Sequence, residues 1–529
     1  MTGGGLYILV AYGSQNIILS GNPDFTYFYT VLKKYSHFSF ESATLQVDGP
    51  QELFFDQSIQ IRAKIQRIGD LLSDLYFTFT LPDIYSKFVD TTLSGPRYLG
   101  SQYEFQWTRY IGAQIIQDAS FFVGGSLIQQ IDSDYIIASA LTDQDETQYN
   151  KWQQLVGDVP ELYDPANGQY SGEVGNAHSR TLGLYPNVNT TDTATTPVQA
   201  NFPSIPGRDI TLPLGFWFSQ APNLSLPLIA LQYHECEVQL TLRPIRDLYT
   251  VLDVSGYRVR PGFSTIASTA QLQTGNVTYM PDTDPGLLLN RFLTDYGFTV
   301  PPLSTWPLNA RLQATYVYLT EDERRTFATK PLSYLVRQVT RYTFPNNSTR
   351  QYFELFTHNP VPRLIVLPRR SDTIGRNSWT NYTNWWLYPS APFTPNIATN
   401  SGIAGSYGFS GQLVPAIQQD IIRQMRILCD GNEIQEIKPA QYFKELSSWK
   451  YATGVFPPGL AIYSFALHTS NWMKPSGTLN TSRVKMFQID IDMWPLDIAS
   501  NFMMDYVIYV ESLNFFVVEG GMGGMKYAI

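Results

Sequence analysis

Apolar and polar residues alternate one for one along many short stretches of this chain, and glycine, proline and Asx pairs close those stretches. Ile59, Ile61, Ala63 and Ile65 stand against Gln60, Arg62, Lys64 and Gln66. A period of two places one set against a core and the other in water only when the backbone is a β-strand. Tyr76-Phe77-Thr78-Phe79-Thr80-Leu81 reads as a second strand, ended by Pro82. Ser120-Phe121-Phe122-Val123 leads through Gly124-Gly125 to Leu127-Ile128, and a glycine pair between two apolar runs marks a tight hairpin. Asp430-Gly431 after Cys429 marks another. Further strands are expected at 235–242, 312–319, 352–356, 364–367, 424–429, 460–467, 484–491 and 506–513. Aromatic residues make up 14% of the chain, with 34 Pro and 37 Gly, which favours pleated sheet and turns over helix. The fold class is therefore all-β.

A chain of 529 residues exceeds what one core holds, and two large domains fit best. The charged run Glu321-Asp322-Glu323-Arg324-Arg325-Thr326-Phe327-Ala328 follows a clear strand. It is either a helical linker or a solvated helical turn inside one domain. Comparable pieces on each side, with alternating strands, one glycine hairpin and long loops, favour the linker. An internal duplication of architecture is plausible, without a residue-level repeat. Three stretches, 144–209, 254–306 and 369–411, are too long for plain connections, and such loops carry function or structure of their own. Trp385-Trp386 in the last suits either loop-to-loop or subunit packing, or an aromatic plug within its own loop.

Charged residues are only 15% of the chain, so it has apolar surface to hide in its core or against neighbours. The net charge is −9, and its 36 Lys and Arg are scattered with no run longer than a pair such as Arg369-Arg370, which excludes a direct nucleic-acid partner. Two cysteines, Cys236 and Cys429, are too few for a disulfide framework and point to a reducing compartment. The stretch Leu6 to Tyr12 is too short for a secretory signal, and the tract Met503 to Val518, interrupted by Asp505, Glu511 and Asn514, reads as two buried strands and not a bilayer span. The Asn-x-Ser/Thr sequons, beginning at Asn189, Asn223, Asn276, Asn346, Asn347, Asn381 and Asn480, read as chance matches.

Motifs of catalysis are missing. Gly408-Phe409-Ser410-Gly411-Gln412 has its second glycine one position too early for a serine nucleophile turn. His234-Glu235 opens like a zinc-protease helix, but Val238 stands where the second ligand belongs. His37, His178, His358 and His468 have no neighbours at metal spacing. The acidic pairs Asp143/Asp145 and Asp490/Asp492 read as solvated groups before they read as a glycosidase dyad. No enzyme, cofactor, metal or catalytic residue is expected.

Three separated blocks carry a resemblance. The first is Ala11-Tyr12-Gly13-Ser14-Gln15-Asn16 with Leu19, Gly21-Asn22-Pro23, Thr26-Tyr27-Phe28 and Phe38 to Ser42. The second is Phe216-Trp217-Phe218-Ser219-Gln220-Ala221-Pro222 running to His234-Glu235. The third is the closing Gly521-Met522-Gly523-Gly524. With Gly69-Asp70-Leu71, Glu323-Arg324, Phe327-Ala328, His358-Asn359-Pro360, Tyr463 to Leu467 and Pro475 to Asn480, this order resembles the major capsid proteins of nucleocytoplasmic large DNA viruses, the phycodnavirus and iridovirus-like double jelly-roll family.

The resemblance implies two consecutive eight-stranded jelly rolls with long end loops: an N-terminal arm at 1–23, the first roll at 24–320, a linker at 321–332, the second roll at 333–518 and a Gly-rich tail at 519–529. It further implies a homotrimer forming a pseudo-hexagonal capsomer in an icosahedral shell, with neighbouring capsomers and minor capsid and penton proteins as partners. An internal membrane would be reached through associated proteins. The localisation implied is the virion capsid, assembled in the host cytoplasm. Gly3-Gly4-Gly5 and the closing glycines would suit arms that order on assembly. The stretches 144–209 and 254–306 are longer than in compact members, so loop functions do not carry over. The competing reading is a lectin-like jelly-roll module that binds carbohydrate.

Overall fold

The computed structural model describes residues 4–29, 32–85, 105–165, 203–252, 258–266, 278–282, 288–294, 299–386, 388, 419–471, 474–496 and 500–527. Sixteen strands build two sandwiches. The first contains β1 (Phe38–Leu45), β2 (Ile59–Lys64), β3 (Leu71–Thr80), β4 (Ile116–Val123), β5 (Ser126–Asp132), β6 (Asp209–Pro213), β7 (Cys236–Leu242) and β8 (Arg311–Leu319). The second contains β9 (Leu332–Asn347), β10 (Gln351–Glu354), β11 (Arg363–Arg370), β12 (Ile422–Cys429), β13 (Asn432–Pro439), β14 (Ala461–Ser464), β15 (Phe487–Met493) and β16 (Met504–Glu519). The sheets of the first run β1-β8-β3-β6 and β2-β7-β4-β5; those of the second run β9-β16-β11-β14 and β10-β15-β12-β13. The two orders differ only by eight, so the chain is one eight-stranded jelly roll written twice.

The alternation read from sequence sets the register. Ile59, Ile61 and Ala63 of β2 are buried while Gln60, Arg62 and Lys64 are exposed, and the strand pairs antiparallel with β7 from Ile59↔Leu242 to Lys64↔Glu237. Both expected hairpins form. Gly124 and Gly125 turn β4 into β5 with φ of 57° and 79°, and Asp430 and Gly431 turn β12 into β13 with φ of 50° and 79°. Consecutive positive φ is the two-residue turn that matches strand twist, which is why glycine and aspartate stand there.

Strand lengths differ from expectation where tertiary packing extends a pattern. β16 runs from Met504 to Glu519 because β9 pairs with it over almost its whole length, from Leu332↔Val518 to Asn347↔Met504. β9 itself lay hidden in the sequence, as did β6. The long connection after β5 contains α1 (Ser133–Asp143), α2 (Glu146–Leu155) and a single helical turn at Pro160–Tyr163, so this stretch carries structure of its own. The connection after β7 holds a hairpin, Phe263–Ile266 with Thr278–Pro281. The third long stretch starts later than read, since Arg369 and Arg370 still belong to β11.

The charged run forms helix α3 (Glu321–Thr329), with no buried residue, between β8 and β9. Its start is held by Asp70, which accepts from the Leu319 backbone N–H at 2.9 Å and from Arg324 Nε at 2.9 Å. That gives Gly69-Asp70-Leu71 a physical task at the entry to the connection. At the far end of the chain the closing glycines do not form a loose arm. Met522–Met525 is a strand, β17, antiparallel to the end of β16, with Gly523 opposite Val518. The N-terminal residues Gly4–Val10 and Ser14–Ser20 form short helices that bury nothing.

Asp70→Ala removes an acceptor that is almost wholly buried and leaves the Leu319 amide unsatisfied. The expected cost is about 1–3 kcal/mol. Hydrogen exchange is the measurement: amides of Leu319 and α3 should exchange faster in the variant while those of β16 keep their protection.

Candidate functional site: the joint between the two sandwiches

The sheet β9-β16-β11-β14 is buried on both faces, and its side chains alternate between two cores. Met504, Tyr506, Ile508 and Val510 of β16, Leu364 and Val366 of β11 and Ala461 of β14 belong to the core of the second sandwich. Val507, Tyr509, Ile365, Leu367 and Ile462 belong to the core of the first. All eight residues of β11 are buried, as expected of a strand covered on both sides. What covers the outer face is α1. Nine of its eleven residues are buried, and Asp132 caps its start by accepting from the Tyr135 amide at 2.8 Å.

Charge is buried here with the apolar groups. Arg369 donates to both oxygens of Asp134, at 2.9 and 2.7 Å. Arg363, with 0% of its surface exposed, donates to Asp143 at 2.8 Å and to Glu511 at 2.6 Å. Arg337 lies 3.0 Å from Glu511, and Arg341 lies 3.0 Å from Asp132. Tyr135 donates to Glu511 at 2.8 Å, and Tyr509 donates to both oxygens of Asp132 at 2.7 Å. Four acids thus meet four arginines at the joint, three of the acids from across it. Asp132, Asp134 and Asp143 come from the first sandwich; Glu511 and the arginines come from the second.

The electrostatics follow from burial and pairing. Burial pushes the Asp134 carboxyl up, but Arg369 and its neighbouring guanidinium groups outweigh that and hold it below the usual carboxylate range. Glu511 is lowered in the same way, by Arg337 and Arg363 against burial. Asp132 goes the other way, raised by burial and by the charge of Asp134.

Backbone and loop contacts complete the joint. The edge strands β5 and β9 meet through side-chain amides, Gln129 donating to Arg337 O and Gln338 to Ile128 O, each at 3.2 Å. Gly454 donates to Thr142 O at 3.0 Å, so close that a Cβ there would lie 2.0 Å from Leu141 O. Asn377 donates to Arg246 O and Tyr249 O at 2.7 Å, and Trp386 Nε1 donates to the Tyr279 hydroxyl at 2.9 Å. The second tryptophan of the Trp385-Trp386 pair therefore packs loop to loop. Trp217, from the internal block 216–235, touches Tyr334 and Phe516 with ring centroids 5.5 Å apart in each case.

The residues weighed for chemistry are dispersed. Asp143 belongs to the joint, and Asp145 caps α2 by accepting from the Gln148 amide at 2.7 Å. Asp490 accepts from Arg350 at 2.9 Å and from Arg426 at 2.6 Å, while Asp492 accepts from Gln424 at 2.7 Å. His234 packs over Gly124, with Nδ1 3.0 Å from Gly523 O, and Glu235 pairs with Lys64 at 3.0 Å. His37, His358 and His468 are exposed. His178 and the stretch 408–412 lie outside the described residues. Cys236 and Cys429 are free and buried. Among the described residues, no group of three or more His, Cys, Asp or Glu is arranged to hold a metal ion, and no helix is long and apolar enough to cross a membrane. Sequence reasoning missed the joint itself. Its one visible signal was Arg369-Arg370 closing the apolar run Leu364 to Leu367.

Comparison with known proteins places this architecture. Residues 26–284 match the family described as major capsid protein N-terminus, and residues 323–524 match the large eukaryotic DNA virus major capsid protein family. The major capsid protein of Paramecium bursaria Chlorella virus 1 is 25% identical over 559 residues, covering 99% of each chain. That of Pyramimonas orientalis virus is 26% identical over 529 residues, covering 99% of this chain and 100% of its own. Among solved structures, PBCV-1 VP54, fitted into a reconstruction of the virophage Sputnik, superposes with a TM-score of 0.61 at 20% identity, covering 95% of this chain and 100% of its own. The Faustovirus major capsid protein superposes with a TM-score of 0.58 at 13% identity, covering 97% and 96%. The chain belongs to the major capsid proteins of large eukaryotic DNA viruses. Its fold is the double jelly roll, and its role is structural, in the virion capsid.

Arg363→Met leaves Asp143 and Glu511 buried without their shared cation and is expected to cost roughly 3–5 kcal/mol. Arg325→Ala, which removes only an exposed pair with Glu321, is expected to cost under about 1 kcal/mol. Thermal and denaturant unfolding of the two variants side by side measures the contrast. The pH dependence has a defined sign. Asp134 and Glu511 are lowered on folding, so their contribution is complete above their unfolded values of about 3.9 and 4.3 and is lost as pH falls through and below that range. Asp132 is raised and offsets part of this. The melting temperature should hold from pH 7 to about 5 and fall below about 4; a flat profile across that range would contradict the assignment.

Proposed function

We propose that three copies of this chain assemble into a capsomer of six jelly rolls with hexagonal outline, and that these capsomers tile the icosahedral shell of a large DNA virus. The observation that carries this reading is the repeated strand order, with the two rolls held as one block by the buried charge at their joint. A rigid pair of similar units is what lets threefold symmetry approximate sixfold packing. On this reading residues 24–320 and 333–518 are the two shell-forming domains, 321–332 joins them and 1–23 is an arm. Neighbouring capsomers and minor capsid and penton proteins are the partners, with an internal membrane reached through associated proteins, and assembly takes place in the host cytoplasm. Function comes from geometry, with no catalytic, cofactor or metal residue. A net charge of −9 argues against direct contact with the genome.

Light scattering of the purified protein, followed by electron microscopy of the same sample, tests this. The expected result is a stable particle of three chain masses, each 59.9 kDa, with hexagonal outline. A protein that stays monomeric at high concentration would overturn the capsomer reading and direct the work to a glycan-binding screen.

A further inference from the structure

Two arginines outside the joint are buried beside a single carboxylate. Arg370 closes β11 and Arg376 ends the turn Ser371–Arg376 that follows it, with 1% and 4% of their surfaces exposed. Both turn to Asp372. Arg370 takes it with the forked edge of its guanidinium, Nε and Nη2 donating to the two carboxylate oxygens at 3.0 and 2.6 Å. Its Nη1 donates to Asn384 O at 2.9 Å, and its face lies 3.6 Å from the centre of the Phe502 ring. Arg376 reaches Asp372 only through Nη1, which lies 3.1 Å from one carboxylate oxygen and donates to the backbone carbonyl at 3.2 Å. Among the described residues, no hydrogen bond is completed at Nε or Nη2 of Arg376, the same forked edge that Arg370 spends on Asp372.

The surroundings do not supply a second anion. Asp247 is shared by Arg260 and Arg246. Asp505, whose carboxyl feels Asp372 as a repelling neighbour, accepts from the Asn346 amide at 2.8 Å. The Tyr279 hydroxyl, which also draws on Arg376, is neutral and already accepts from Trp386 at 2.9 Å. Water can complete the hydrogen bonds of a guanidinium, but it leaves the charge unmatched, and buried charges are paired. The cluster lies where the loops of the two sandwiches close over each other. Gly375 O accepts from the Arg260 N–H at 2.8 Å, and the Tyr279 ring packs so tightly on Gly375 that a Cβ there would lie 2.6 Å from it.

We propose that the forked edge of Arg376 holds one small monovalent anion of chloride's class, enclosed between the turn after β11 and the hairpin Phe263–Ile266 with Thr278–Pro281 of the first sandwich. One unmatched cation calls for one negative charge, and two N–H groups on one guanidinium edge converge on a single acceptor. The burial of Arg376 limits the ion to one small enough to sit beneath Tyr279. Bound there, the anion pins the turn of one sandwich under the hairpin of the other. A ligand that binds the folded chain and not the unfolded one raises stability with its concentration, so the melting temperature reports on the site.

Thermal unfolding of the full chain in sodium chloride and in sodium gluconate at equal ionic strength is the first test, since gluconate carries the same charge but is too bulky for an enclosed site. The melting temperature should rise by about 1 °C for each tenfold increase in chloride and stay level when gluconate replaces it. Arg376→Met should lose the chloride dependence, while Arg325→Ala, an exposed change on α3, should keep it. Should Arg376→Met fail to fold, Arg376→Lys retains the charge without the fork and should show a weaker dependence. Crystals of the wild-type protein grown in bromide then locate the ion, with an anomalous peak expected in contact with Nε and Nη2 of Arg376. Equal melting of the wild type in the two salts overturns the proposal. So does a chloride dependence unchanged in the Arg376 variants, or a bromide map without a peak at Arg376.

Discussion

A sheet buried on both faces has no side left for water, and in this molecule that sheet carries arginines. Arg363, Arg369 and Arg370 all lie in β11 and are buried. Guanidinium does not shed its proton, so each must find an anion or remain an uncompensated buried charge costing several kcal/mol. Glu511 supplies one anion from the same sheet and Asp372 another from the turn after β11. The remainder come from the other sandwich, through Asp132, Asp134 and Asp143 at the two ends of α1. The second roll therefore cannot bury its sheet unless the first is docked in one particular placement. Apolar contact alone would hold the rolls together, but it is tolerant of sliding and rotation. Bidentate ion pairs such as Arg369 with Asp134 are not.

The same constraint explains what the sequence disclosed and what it hid. Strands with one wet face, such as β2, wrote their period of two plainly, and the turns of both hairpins were legible because only a few residues accept positive φ. β9 was hidden because Arg337, Gln338 and Arg341, which serve the joint, interrupt any apolar alternation. α1 was hidden for the opposite reason. With Ile136, Ile137, Ala138, Ala140 and Leu141 buried around its circumference, it has no polar stripe to betray a helical period. The scatter of basic residues along the chain gave no hint that four arginines converge in space. Three of the segments that carry the resemblance do local work: Asp70 anchors the connection, Trp217 bridges the rolls, and the closing glycines lie flat enough against β16 to form β17.

Placement of the buried charge inside the chain follows from how that contact forms. The joint is made between tethered partners, so the first sandwich meets the second at high effective concentration, and the cost of stripping water from eight charged groups is met once, during folding. A contact between separate chains must also cover the lost translational and rotational freedom of association. Desolvating four ion pairs at that step would add to the cost of association. A shell protein built in this way keeps its rigid, charge-specified contact for the step that happens once per chain.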